Sequence, residues 1–229
     1  MDLMKSWMAF LNKYGPSYLE GTLMTLKLSF LGVFFGFILG ILIVLLRRSK
    51  LKPLQTIAKI YVQMFRGTPL LVQVTIFYYG FSSVLPDQYA ALKNPFALSL
   101  IAVCMNSSAY VSEIIRGGIN AVDRGQGEAA ASLGMKKSQI MRYIILPQAI
   151  KTVLPALCNE FVTLIKETAI VSIVGVSDLM YQAKIAQGAS YKPFMPNVTA
   201  ALIYLILVTG LSKVISVFEK RLANSDSHS

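Results

Sequence analysis

The sequence predicts an all-α membrane protein with about five transmembrane helices, and three observations carry that prediction. Four windows, residues 28–46, 67–86, 94–112 and 193–212, hold no charged residue, and each exceeds the ~18 apolar residues that mark a spanning helix. Hydrophobic residues make up 55% of the 229 and charged residues 14%, with a mean hydropathy of +0.57. That is far from an ordinary soluble domain. The bases gather in short segments between the apolar runs, as cytoplasmic loops do. Unbroken runs of this length also exclude barrel strands, which alternate over ~10 residues. The net charge of +11 therefore points to a membrane surface rather than to nucleic acid.

Residues 1–17 read as an interfacial helix, with Trp7, Phe10 and Tyr14 beside Lys5 and Lys13, ended by Gly15 and Pro16. Nothing in residues 1–14 reads as a cleavable signal peptide. The transmembrane unit is expected over 18–220, and its first span over 18–46. Gly32, Gly36 and Gly40 recur there at i, i+4 and i+8, a stripe that lets another helix approach closely. Arg47, Arg48, Lys50 and Lys52 form the first basic loop. The second span, 54–84, contains Phe65-Arg66-Gly67-Thr68-Pro69. Pro69 leaves the carbonyl four residues earlier unpaired, so a kink or local unwinding is expected there. A short outer loop follows over 86–93, and the third span covers 94–116. The segment 117–151 is a long polar and basic loop, and 152–177 is a fourth apolar run that carries Glu160, Lys166 and Glu167. An outer segment at 177–192 with a short helix leads to a fifth span ending near Phe218. Residues 221–229 read as a disordered tail holding His228, the single histidine. Cys104 and Cys158 fall inside spans and read as buried free thiols.

Ionisable groups inside a membrane are costly and mark function by default. At about 100° per residue, Asn159, Glu160, Thr163, Lys166 and Glu167 share an arc of roughly 120° on the fourth span. Asn106, Ser107, Tyr110 and Glu113 share a similar arc on the third. Two readings stand. Both stripes line a polar path, or Glu113–Arg116 and Lys166–Glu160 are structural pairs at the ends of their spans.

The loop supplies the most specific signal. Glu128-Ala129-Ala130, Gly134, Ile144 and Leu146-Pro147 fill the pattern EAA–x3–G–x9–I–x–LP. This resembles the EAA loop of bacterial ABC importer permeases. The Phe65–Leu70 segment and Ser108-Ala109-Tyr110…Glu113…Arg116-Gly117-Gly118 resemble the polar amino-acid branch of that family (histidine, glutamine, arginine, glutamate, cystine). One departure is Lys166-Glu167-Thr168-Ala169, where the branch more often has Lys-Asp-Thr-Ser. The resemblance implies a type I importer permease fold with a cytoplasmic EAA coupling helix. It implies ATPase coupling through Glu128, Ala129, Ala130, Gly134, Leu146 and Pro147. Glu128 is expected near the start of that helix, where the positive dipole end favours an acid. It also implies a polar amino-acid path, to which Ser107, Glu113, Asn159, Glu160, Lys166 and Asn106 are assigned.

No G-x-x-x-x-G-K-[ST], HExxH, CxxC or G-x-S-x-G occurs, so no catalytic residue, metal site or cofactor is expected on this chain. ATP and Mg belong on a partner ATPase. The other partners implied are a second permease subunit, an extracytoplasmic solute-binding protein and membrane lipid. An inside EAA loop sets the N-terminus outside and the C-terminus inside for five spans of a bacterial cell membrane. The charges agree: residues 47–52 hold four bases and no acid, and 117–151 hold five bases against two acids. A permease for ions or peptides, or a secondary transporter, remains the alternative.

Overall fold

The computed structural model describes residues 2–84, 86, 88 and 93–224. Most of the outer loop expected at 86–93, and the tail from 225 onward with His228, lie outside them. All regular structure among the described residues is helical. Three helices, over residues 4–47, 95–121 and 194–220, are long and apolar enough to cross a membrane. The second and fourth spans are each interrupted.

Helix α1, Asp2–Arg47, is a single element of 46 residues. The break expected at Gly15–Pro16 does not occur. Proline inside a helix removes one hydrogen bond and costs about 3 kcal/mol, but tertiary packing holds the chain on both sides of it. Phe10 and Tyr18 are buried against Leu179, Ala183 and Ala186, and the Tyr18 hydroxyl donates to the Pro196 carbonyl at 2.8 Å. Phe10 thus sits in a protein core rather than at an interface.

Helix α2, Lys52–Gly67, ends at the expected break: Thr68 is extended (φ −124°, ψ 146°) and Pro69 precedes α3, Leu70–Thr75. A π-helical turn, Ile76–Gly80, then joins α4, Phe81–Val84. Helix α5, Pro95–Ala121, is the central one, capped by the Asn94 side chain accepting from Phe96 N. The glycine stripe of α1 packs on it. A Cβ on Gly32, Gly36 or Gly40 would lie 2.6, 2.9 or 2.8 Å from Val103, Ser107 or Val111. Those partners recur with the same four-residue spacing, so the two ridges run in register.

The loop folds as α6, Arg124–Ser132, then α7, Lys137–Ile140, and a π turn, Met141–Ile145. Helix α8, Leu146–Glu167, continues as a 3-10 segment, Thr168–Val174, that closes on Gly175 (φ +88°). Helix α9, Leu179–Ser190, is the short helix expected within 177–192, and α10, Phe194–Asn224, is the last span. It carries residues 221–224 in helical conformation, against the disordered tail expected from 221. Cys104 is buried, whereas Cys158 is exposed on α8 and departs from the buried thiol expected.

Candidate functional site

Helices α5 and α8 bring one part of the sequence-assigned polar path together. The Ser107 hydroxyl donates to Glu160 Oε1 at 3.2 Å. Ser107 is fully buried beneath Gly36, so the small residue on α1 leaves room for the hydroxyl. Gly118 plays the same part lower on α5, where a Cβ would meet Val153 of α8 at 2.4 Å. Among the described residues no cation pairs with Glu160. The structural pair Lys166–Glu160 is therefore not formed; Lys166 is exposed and acts electrostatically on Glu167 instead. Asn159 is exposed and its amide reaches Glu219 of α10 at 3.5 Å.

The remaining two residues assigned to the path are committed elsewhere. Asn106, one residue before Ser107, meets different helices, α2 and α3. Its amide donates to Gln73 Oε1 at 2.9 Å and to the Phe65 carbonyl at 3.3 Å. Gln73 in turn donates to the carbonyls of Phe65, at 2.8 Å, and Thr68, at 3.0 Å. These are the acceptors that the Gly67–Pro69 break sets free, and a buried carbonyl without a donor costs ~1–3 kcal/mol. Asn106 and Gln73 thus seal a broken helix. Gln73 was not singled out in the sequence, although a buried amide four residues after a helix-breaking proline is the available signal.

Glu113 is the hub of a basic cluster. It pairs with Arg47 of α1 and with Arg116 (2.9 and 2.5 Å), and Arg66 Nη1 of α2 stands 4.0 Å away. Three helix ends are pinned on one carboxylate. The Glu113–Arg116 pair was legible from their spacing. Arg47 was not, because in the sequence it reads as one more base of a loop.

In the loop, Asp123 rather than Glu128 caps α6, its side chain accepting from Gly125 N at 2.6 Å. Glu128 lies in the second turn, so the dipole argument passes to Asp123. Glu128 and Ala129 are exposed, and Ala130 is buried. The helix ends with Met135 N bonded to the Ala130 carbonyl at 3.2 Å and Gly134 at φ +80°. That closure needs a left-handed residue, which glycine adopts without strain. Leu133, just before it, is 85% exposed and was not singled out in the sequence. Leu146 and Pro147 open α8 directly after the π turn, whose wider winding accommodates the missing proline N–H.

Outside the spans, Asp178 caps α9, accepting from Tyr181 N at 2.8 Å. It is fully buried and its second oxygen accepts no hydrogen bond. Burial pushes its carboxyl up to about 6. No group of three or more His, Cys, Asp or Glu among the described residues is placed to hold a metal.

Comparison with known proteins gives consistent results. Residues 32–224 match the family described as "Binding-protein-dependent transport system inner membrane component". The chain is 44% identical over 216 residues to a putative glutamine transport system permease protein of Rickettsia bellii (strain RML369-C), covering 93% of this chain and 97% of that one. It is 42% identical over 211 residues to an arginine transport system permease protein of Bacillus subtilis (strain 168), covering 92% and 94%. Among solved structures, a crystal structure of an amino acid ABC transporter with histidines superposes with a TM-score of 0.86 at 46% identity, covering 92% of this chain and 96% of that one. A methionine ABC transporter in an inward-facing conformation shares the fold, with a TM-score of 0.72 at 19% identity over 90% of this chain and 96% of that one.

Proposed function

Because the chain belongs to the binding-protein-dependent transport inner membrane components, we propose that it forms the path for a polar amino acid bearing a cationic group. As an ABC importer permease it is a transport subunit and not an enzyme, and ATP hydrolysis falls to a separate subunit. The observation that carries the substrate reading is Glu160, a carboxylate within a span, held by Ser107 and paired with no cation among the described residues. An unpaired intramembrane acid calls for a cation, and an α-ammonium is common to every amino acid. The names of the relatives, glutamine and arginine, and of the structural neighbour agree with this class.

In this reading Glu160 meets the ammonium or a cationic side chain, and Lys166, exposed about a turn and a half away, meets the α-carboxylate. Asn159 and Ser107 hold them in place. Glu113 and Asn106 serve the frame rather than the path. At the loop, Glu128, Ala129 and the protruding Leu133 of α6 offer the docking surface for the ATPase, with Gly134 fixing the turn. Leu146 and Pro147 lead that surface into α8. The loop faces the cytoplasm, with the N-terminus outside. A second permease subunit completes the path, and an extracytoplasmic binding protein delivers the substrate.

Glu160→Gln tests the assignment, since it keeps shape and removes charge. Hydrogen bonds to charged groups are worth roughly 1.5–3 kcal/mol. Uptake into proteoliposomes should fall about tenfold or more, with an altered preference among amino acids, while the permease still co-purifies with its ATPase. Unchanged uptake and selectivity would remove Glu160 from the path.

A further inference from the structure

At the loop end of α1 and α5 a basic recess adjoins an apolar groove. The recess, about 410 Å³, is walled by Arg47, Arg48, Gln55, Lys59, Arg116 and Asn120. The groove, about 780 Å³, runs between α1, α5 and the start of α8, past Ile41, Leu45, Ile115 and Ile150. The two share Val44, Arg48 and Ile119, so they form one continuous feature. No acid lines either part.

The charge balance of this feature is uneven. Arg47 and Arg116 share Glu113. Among the described residues, Arg48, Lys59 and Lys137 (at the rim of the groove) stand in no ion pair. Unpaired cations beside an apolar trough match an amphipathic anion. The walls also say where that anion comes from. Leu45 is 60% and Ile150 50% exposed, so the groove opens sideways onto the apolar face that α1 turns outward. A soluble anion would satisfy the recess and leave the groove unfilled.

We propose that this feature binds an anionic phospholipid of the cytoplasmic leaflet. The phosphodiester sits in the recess against Arg48 and Lys59, and an acyl chain lies in the groove. Basic pockets between spans on the cytoplasmic side attract such headgroups. The leaflet rests on the orientation proposed above; the chemistry of the site does not.

The test uses the permease co-purified with its ATPase, stripped of lipid in detergent. The complex is then equilibrated with phosphatidylglycerol or phosphatidylcholine, and retained lipid is measured by mass spectrometry. Wild-type complex should retain phosphatidylglycerol about tenfold better. Each base removed should weaken retention about fivefold, so R48Q/K59Q should lose about twenty-five-fold at unchanged yield of the complex. If that variant fails to assemble, K137Q alone should still show about a fivefold loss. Equal retention of the two lipids, or undiminished phosphatidylglycerol retention in both variants, would overturn the proposal. So would complete displacement by millimolar glycerol phosphate, which marks a free-phosphate site. Retention by the permease alone but not by the complex would give the groove to the ATPase and equally overturn it. Labelling of Ser138→Cys from outside the cell would overturn the orientation, and the lipid preference would then assign the site to the outer leaflet.

Discussion

Asn106 and Ser107 are neighbours on α5 that serve different partner helices, one sealing a helix break and the other holding Glu160. A helical wheel places both within one polar arc, because 100° of separation is narrow beside a buried face. What divides them is Gln73 on α3 and Gly36 on α1, contacts that no local pattern contains. Glu160 was legible from its chemistry, as was the carbonyl orphaned by Pro69; the donors that satisfy that carbonyl were not. Asp178 carries a prediction at this scale. Its carboxyl, pushed up to about 6 by burial from an ordinary 3.8, holds its proton in the folded protein where the unfolded chain has lost it. Stability should therefore be highest below about pH 4 as far as this group is concerned, and fall as pH rises through 6. Asp178→Asn keeps the cap acceptor and should flatten that slope, as thermal unfolding between pH 4 and 7 will read. An identical slope in both proteins would assign the pH dependence to other groups.

Among elements, the glycine stripe was fully legible, since only a close helix–helix approach rewards three glycines in register. Its partner ridge on α5 was not, because valine and serine at i, i+4 and i+8 have many uses. Gly36→Val should force α1 from α5, where a Cβ already meets Ser107 at 2.9 Å and the Ser108 backbone at 3.3 Å. Overpacking of this kind costs about 1–3 kcal/mol, measurable as a lowered unfolding temperature in detergent. Gly67 has open space around it, and Gly67→Ala should leave that temperature nearly unchanged. Equal effects from both would mean that the packing of the stripe contributes little. The misread element is the start of α1. Gly15-Pro16 is a strong local stop signal, overridden by aromatic packing with residues more than 160 positions away.

For the whole molecule, the charge pattern and the EAA spacing made the fold and the transport class readable, because a bilayer restricts a chain more than water does. In a background with Cys104 and Cys158 replaced by serine, Ser190→Cys should react with an impermeant maleimide added outside, and Ser138→Cys should react only after lysis. The reverse pattern would invert the proposed orientation. The continuity of α1 has a mechanical consequence on the same scale. Its 46 residues span about 69 Å at 1.5 Å each, more than twice the ~30 Å hydrocarbon thickness. One end is fastened to Glu113 and the other to α9. Such a rod is a pointer: each degree of tilt about its Arg47 end sweeps its N-terminal end through about 1 Å. Small rearrangements at the guanidinium cluster thus arrive at the N-terminal end, beside α9, as displacements the size of a bond length.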